Sequence, residues 1–213
     1  MGDFILDFRP GVERDRGLAA AQAALQFCDA TSVRTVRTAA FSLLLTRVDG
    51  FDLWEPATVT VDGVELVGAI AGRIALEEEQ WLAAKRLPMS GGAACRHLLD
   101  GYLRNGLDHI RSLNGNFAAF IYDPRVGHLH VATDRCGMFL AYHKSPIAEA
   151  GVFGSHPDVV ARVVGESGKF DLTSLSEFLA TGRLTFPNTY YERIKGISPG
   201  SIMAAPFGGG GDG

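Results

Sequence analysis

The groups in this chain that could do chemistry are few and scattered. Its three cysteines, Cys28, Cys95 and Cys136, are odd in number and far apart, which fits reduced thiols better than a disulfide framework or a zinc site. His128 and His130 lie on one face of an alternating segment and could ligate a metal. With no third ligand nearby in sequence they read as surface histidines, and no metal is expected. Ser90-Gly91-Gly92-Ala93-Ala94-Cys95 imitates the first half of a phosphate-cradling loop. It carries neither the Asp nor the final Ser of such a loop and follows Pro88 and a helical stretch rather than a strand, so it reads as a tight turn opening a helix. Glycines 208–211 form no phosphate motif, Trp54 and Trp81 read as packing residues, and no cofactor is expected.

These residues hang on a framework centred on Leu113 to His143. Phe117 to Tyr122 is an apolar, aromatic run bounded by Asn-Gly and Asp-Pro, which predicts a buried strand. Asp123-Pro124-Arg125-Val126-Gly127 supplies a turn. Leu129 and Val131 then alternate with His128 and His130, so one face looks inward and the other outward. Asp134-Arg135-Cys136-Gly137 turns again, with Asp134 and Arg135 fixing the hairpin by polar contacts. Met138 to Tyr142 predicts a third strand, and the whole an antiparallel meander.

Upstream, Asp3–Phe8, Ala39–Val48, Ala57–Val61 and Val64–Ile70 predict strands, with Asp62-Gly63 as a two-residue hairpin turn. Helices are predicted over Leu18–Phe27, Glu77–Arg86, Ala93–Asn105 and Leu107–Ser112. Acidic residues open the second of these and Lys85 and Arg86 close it, complementing the helix dipole. Leu98, Leu99, Tyr102 and Leu103 form the inward stripe of the third. Downstream come a strand at Gly151–Ser155, a helical segment at His156–Val164, and a helix at Leu172–Thr181, capped by Asp171 or Thr173 and ended by Gly182. Thr185–Pro199 reads as loop, Ser201–Ala205 as a last strand, and 206–213 as a flexible Gly-rich tail. Strands interspersed with a few helices, without strict alternation, favour α+β.

Composition sets the outer limits. A chain of 213 residues with 46% apolar and 21% charged residues can bury a real core. A net charge of −4 gives no reason to expect nucleic acid or an anionic membrane as partner. No apolar run reaches the roughly 20 residues that cross a bilayer, and the acidic start MGDFILDFRPG does not read as a signal peptide. A cytoplasmic location is expected.

The Leu-x-Gly-x-Phe-Ala run from Leu113, a strand ending in Tyr122-Asp123, a hairpin, Thr133-Asp134-Arg135-x-Gly137 and Tyr142 together resemble a known pattern. It is that of the central hairpins of the glutamine amidotransferase (class II, N-terminal nucleophile) domain of the asparagine synthetase family. That family usually has Arg-Asp where this chain has Thr133-Asp134. Leu172 to Pro199, with Thr189, Ile194 and Ser198-Pro199-Gly200, resembles the segment that closes the domain. The resemblance implies a four-layer αββα sandwich of two antiparallel sheets, with residues 1–205 as one amidotransferase-like domain.

It also implies where glutamine chemistry should sit, and there the chain departs. The family's nucleophile is a Cys exposed after Met removal, with its own amine as base; here Gly2 stands there. Unmasking Cys28 instead would delete the first strand and helix. The family's Asn-Gly-Glu stretch, whose Asn and Gly form the oxyanion hole, falls on Ala71-Gly72-Arg73. Gly72 keeps a backbone N–H, but Ala71 has no side-chain donor, a loss worth about 10²–10³ in rate. Arg73 reverses the charge that would hold the substrate ammonium, a repulsion of about 4 kcal/mol at close range. A second carboxylate position falls at Ala94. The resemblance therefore implies a degenerate pocket, as in β-lactam synthetases and lasso peptide cyclases, inactive alone, serving an ATP-dependent synthetase domain or subunit. An active glutaminase (glutamine-hydrolysing asparagine synthase) subunit and a peptide- or substrate-binding module of a lasso peptide cyclase are the alternatives.

Overall fold

The computed structural model describes residues 3–9, 11–25, 31–38, 40–48, 55–146 and 151–206. The chain divides into two compact units, one of Met1–Asp49 with Leu140–Ser198 and one of Gly50–Phe139 with Pro199–Gly213. The fold class is α+β, with one six-stranded and one five-stranded antiparallel sheet and six helices among the described residues.

The first unit holds β1 (Phe4–Asp7), α1 (Gly11–Leu25), β2 (Thr31–Arg37) and β3 (Ser42–Val48). It is completed by β8 (Tyr142–Lys144), β9 (Val152–Gly154), α5 (Pro157–Val163), α6 (Leu172–Thr181) and β10 (Ile194–Gly196). The sheet order is β10-β8-β9-β1-β3-β2. Ile5, Leu44 and Val152 share one core cluster with Leu18, Ala21 and Leu25 of α1 and with the valines of α5. The side chains that alternate with them, Phe4, Leu6, Leu43 and Leu45, are buried too, so this sheet has helices on one face and a second buried apolar face. That is how each half of an αββα sandwich is built. α1 starts seven residues before the predicted Leu18, because a polar first half can stay exposed and gives no apolar stripe. It runs over a buried ion pair: Arg9 grips the Asp7 carboxylate at 2.6 and 3.0 Å. A Cβ on Gly17 would lie 2.3 Å from that guanidinium.

The second unit holds β4 (Ala57–Val61), β5 (Val64–Ile74), α2 (Glu78–Arg86), α3 (Ala93–Asn105), α4 (Leu107–Ser112), β6 (Gly115–Asp123), β7 (His128–Thr133) and β11 (Ile202–Pro206). The order is β11-β7-β6-β5-β4. The Asp62-Gly63 turn has φ of 52° and 78°, the left-handed pair that a two-residue hairpin demands. Leu66, Ile70, Ile74, Phe117, Ala119 and Ile121 form one face and pack under Leu98, Leu99 and Tyr102 of α3. The opposite face, with Val67, Ala69, Ala71, Ala118 and Phe120, is buried as well.

Three expectations are corrected here. Met138–Tyr142 is not the third strand of the meander: that place beside β7 belongs to β11, and the chain resumes as a strand only at Tyr142, in the other sheet. The Asp134 carboxylate captures the N–H groups of Cys136, Met138 and Phe139 at 2.8–3.1 Å, so the donors a ladder would need are already taken. His130 is not a surface residue. It is 7% exposed, with its ring 6.0 Å from that of Tyr102. Pro206, assigned to the tail, ends β11 opposite His128; the rest of the tail, Cys28 and Trp54 lie outside the described residues. No described helix is long and apolar enough to cross a membrane.

Candidate functional site

β5 runs on to Ile74, four residues beyond the predicted end, and so carries Ala71, Gly72 and Arg73 inside the sheet. Ala71 pairs with Ala118 and is fully buried. Arg73 lies two residues on, on the same face by strand alternation, opposite Asn116 and exposed. Between them Gly72 has φ of 98°, and a Cβ there would fall 2.2 Å from the Asn116 carbonyl oxygen. Only glycine fits so close a backbone approach.

Ala94 sits in the first turn of α3 and belongs to the same core cluster as Ile70, Ile74 and Phe117. The structure therefore brings Ala71, Gly72 and Arg73 together on one strand, while the Ala94 methyl belongs to the cluster beneath α3. Neither residue that opens α3, Ala93 or Ala94, carries a carboxylate. Ser90-Gly91-Gly92 is a turn closed on β4. Ser90 Oγ lies 2.6 Å from Thr58 Oγ1 and accepts from its N–H, and a Cβ on Gly91 would be 2.3 Å from the Pro56 carbonyl. The Gly92 N–H, a donor a phosphate would need, is already given to the Glu55 carbonyl at 2.7 Å. Gly2 lies outside the described residues.

Of the buried polar groups of this unit, His109 Nε2 and His130 Nδ1 have no hydrogen-bond partner among the described residues, whereas Asp123 is fully engaged. Asp123, 1% exposed, accepts from Tyr102 Oη at 2.9 Å and from Arg125 N, Nε and Nη2 at 2.8–3.0 Å. Burial works to raise the Asp123 pKa, but these hydrogen bonds outweigh it and hold it below the usual carboxylate value. Burial and that same bond push the Tyr102 hydroxyl up to about 12. Cys95 is fully buried and its thiol is pushed up to about 12, which makes it an inert core residue.

The profile of a glutamine amidotransferase domain family matches residues 72–209. The chain belongs to that family. No curated protein matches it. The matched part of this amidotransferase domain opens at Gly72 and takes in Arg73, Ala94, the β6–β7 hairpin, the Asp134 turn and β11. Among its described residues, no group of three or more His, Cys, Asp or Glu could hold a metal ion.

One feature of the amidotransferase domain escaped the sequence reading. A cleft of about 530 Å³ is lined by His97, Asp100, Arg104, Asn105, His109 and Asn114, among others. His97, Asp100 and Arg104 follow one another at spacings of three and four, so they share the α3 face opposite the apolar stripe. That periodicity was the available signal. The two imidazoles meet edge-on at 5.0 Å. Burial first, then the neighbouring His109 and Arg104, lowers the His97 pKa to about 4. Burial also lowers that of His109, against the His97 backbone, which works to raise it.

Proposed function

We propose that this amidotransferase domain does not hydrolyse glutamine and acts as a structural or interaction module of an asparagine-synthetase-like, amide- or peptide-bond-forming system. Its working partner would be an ATP-dependent synthetase domain or subunit. The observation that carries this reading is Arg73. It stands exposed at the end of β5, at the position to which the resemblance assigns the carboxylate for the substrate ammonium. Like charges a few ångström apart cost about 4 kcal/mol, roughly a thousandfold in affinity. Ala71, at the oxyanion position, is buried against Ala118 and offers no donor. Both departures are internal to the chain, while the scaffold around them is intact.

The test is an assay of the purified chain for ammonia release from glutamine, together with reconstitution alongside the ATP-dependent synthetase. The reading expects no glutamine-dependent ammonia, and amide synthesis by the synthetase that falls when the chain is left out. Glutamine-saturable ammonia release overturns it.

A further inference from the structure

A second cleft, of about 300 Å³, lies where α4 meets the β7–β11 edge of its sheet. Its floor is apolar: Ile110, Leu113, Phe117 and Ala132 are buried, and Ile202 lies beside Ala132 in the β7–β11 register. Its rim is cationic, with Arg111 and Arg135, both exposed. The two arginines are not equivalent. Arg111 pairs with Asp108 at 2.6 Å. Arg135 is oriented by donating Nε and Nη2 to the Arg111 carbonyl, at 3.2 and 2.5 Å, and meets no carboxylate among the described residues.

A held guanidinium without a counter-charge, above an apolar slot, matches a ligand that is charged at one end only. We propose that this cleft binds a short apolar carboxylic acid, either free or as the C-terminal residue of a peptide. The carboxylate would sit on Arg135 and the hydrocarbon among Ile110, Phe117 and Ile202. The acid takes its orientation from the fixed guanidinium fork and its affinity from the area its tail removes from water. Ala71, Gly72 and Arg73 do not line the cleft, although Phe117 on its floor is the register partner of Gly72, and the proposal stands whether or not the chain hydrolyses glutamine.

The test is a titration of the isotopically labelled chain, followed by amide chemical shifts, with butanoate, hexanoate and hexanamide. The proposal expects saturable shifts at Ile110, Phe117 and Ile202, an affinity that rises about fourfold per added methylene until the slot is full, and binding of the amide at least about tenfold weaker than the acid. Arg135→Gln should remove the difference between acid and amide. If that variant does not fold, the acid-to-amide comparison on the unaltered chain decides alone. A peptide ending in a free leucine carboxylate, compared with 4-methylpentanoate, separates the two sources of the ligand; tighter binding of either supports the site. Absence of saturation up to about 20 mM, or equal binding of hexanoate and hexanamide, overturns the proposal.

Discussion

Gly72 of β5 and Gly115 of β6 hold each other's strands at contact distance. A Cβ on Gly72 would lie 2.2 Å from the Asn116 carbonyl oxygen, and one on Gly115 would lie 2.2 Å from that of Arg73. Both have positive φ, 98° and 135°, so side chains are excluded twice, by backbone conformation and by space. Gly72→Ala or Gly115→Ala should each cost about 3 kcal/mol, a fall of roughly 6–12 °C in Tm for a chain of this size. Gly127→Ala is the control: φ is 68° with nothing within 4 Å of the new methyl, so only the left-handed strain of about 1 kcal/mol applies. Thermal melts of the three variants check the order, and equal losses at all three positions would refute the close approach.

Asp123 couples β6 to α3 through Tyr102 and to its own turn through Arg125. Its folded pKa lies below the usual value, so its stabilisation is fully present above about pH 4 and is lost as the pH falls through the folded value. Asp123→Asn should cost about 3 kcal/mol at pH 7, because it strips the charge from a buried acceptor of four hydrogen bonds. The gap to the parent chain should be narrower at about pH 2 than at about pH 7, because acidification protonates Asp123 in the parent. Urea midpoints at both pH values measure it, and a pH-independent gap would contradict the assignment.

His97 predicts a second loss of stability on acidification, at higher pH, from the other side of α3. Its folded pKa of about 4 lies below the unfolded value near 6.5. Between those values the unfolded chain binds the extra proton, so stability falls as the pH drops from about 6.5 toward 4. His97→Gln should make that part of the profile shallower, with His109, His130 and His143, whose pKa values burial also lowers, keeping the rest of the slope, and leave stability above about pH 7 nearly unchanged. Denaturant midpoints from pH 7.5 to 4.5 would show it; an unaltered slope would remove His97 as its source.

Much of this fold is legible where side-chain periodicity and turn chemistry agree. α3 and α6 have the bounds predicted, because each combines a helical apolar stripe with a glycine stop, Gly106 with φ of 58° and Gly182 with φ of 70°. Asp171 caps α6 through the N–H groups of Thr173 and Ser174. β2 was not foreseen because it is an edge strand with largely exposed side chains, so TSVRTVR shows no apolar alternation. The false strand at Met138 had the right hydrophobicity, but a carboxylate five residues before Phe139 took the donors, and hydropathy does not register that.

The candidate site was legible in part. The Ala71-Gly72-Arg73 departures are readable as residue types, whereas the strand that carries them and the second glycine that locks it come only from the β5–β6 register. Of the histidine-lined cleft only the spacing of His97, Asp100 and Arg104 was readable, and of the arginine-rimmed one nothing, because the first is assembled from helices and loops and the second from helix, loop and strand segments that only the fold brings together.

The most direct trial of the account is glutamine turnover itself. The purified chain would be incubated with glutamine labelled with ¹⁵N at the side-chain amide, and the label followed by NMR. A silent pocket predicts an undiminished amide signal at every protein concentration, and no ammonium beyond the protein-free control. Conversion to labelled ammonium at a rate proportional to protein and saturable in glutamine would contradict it.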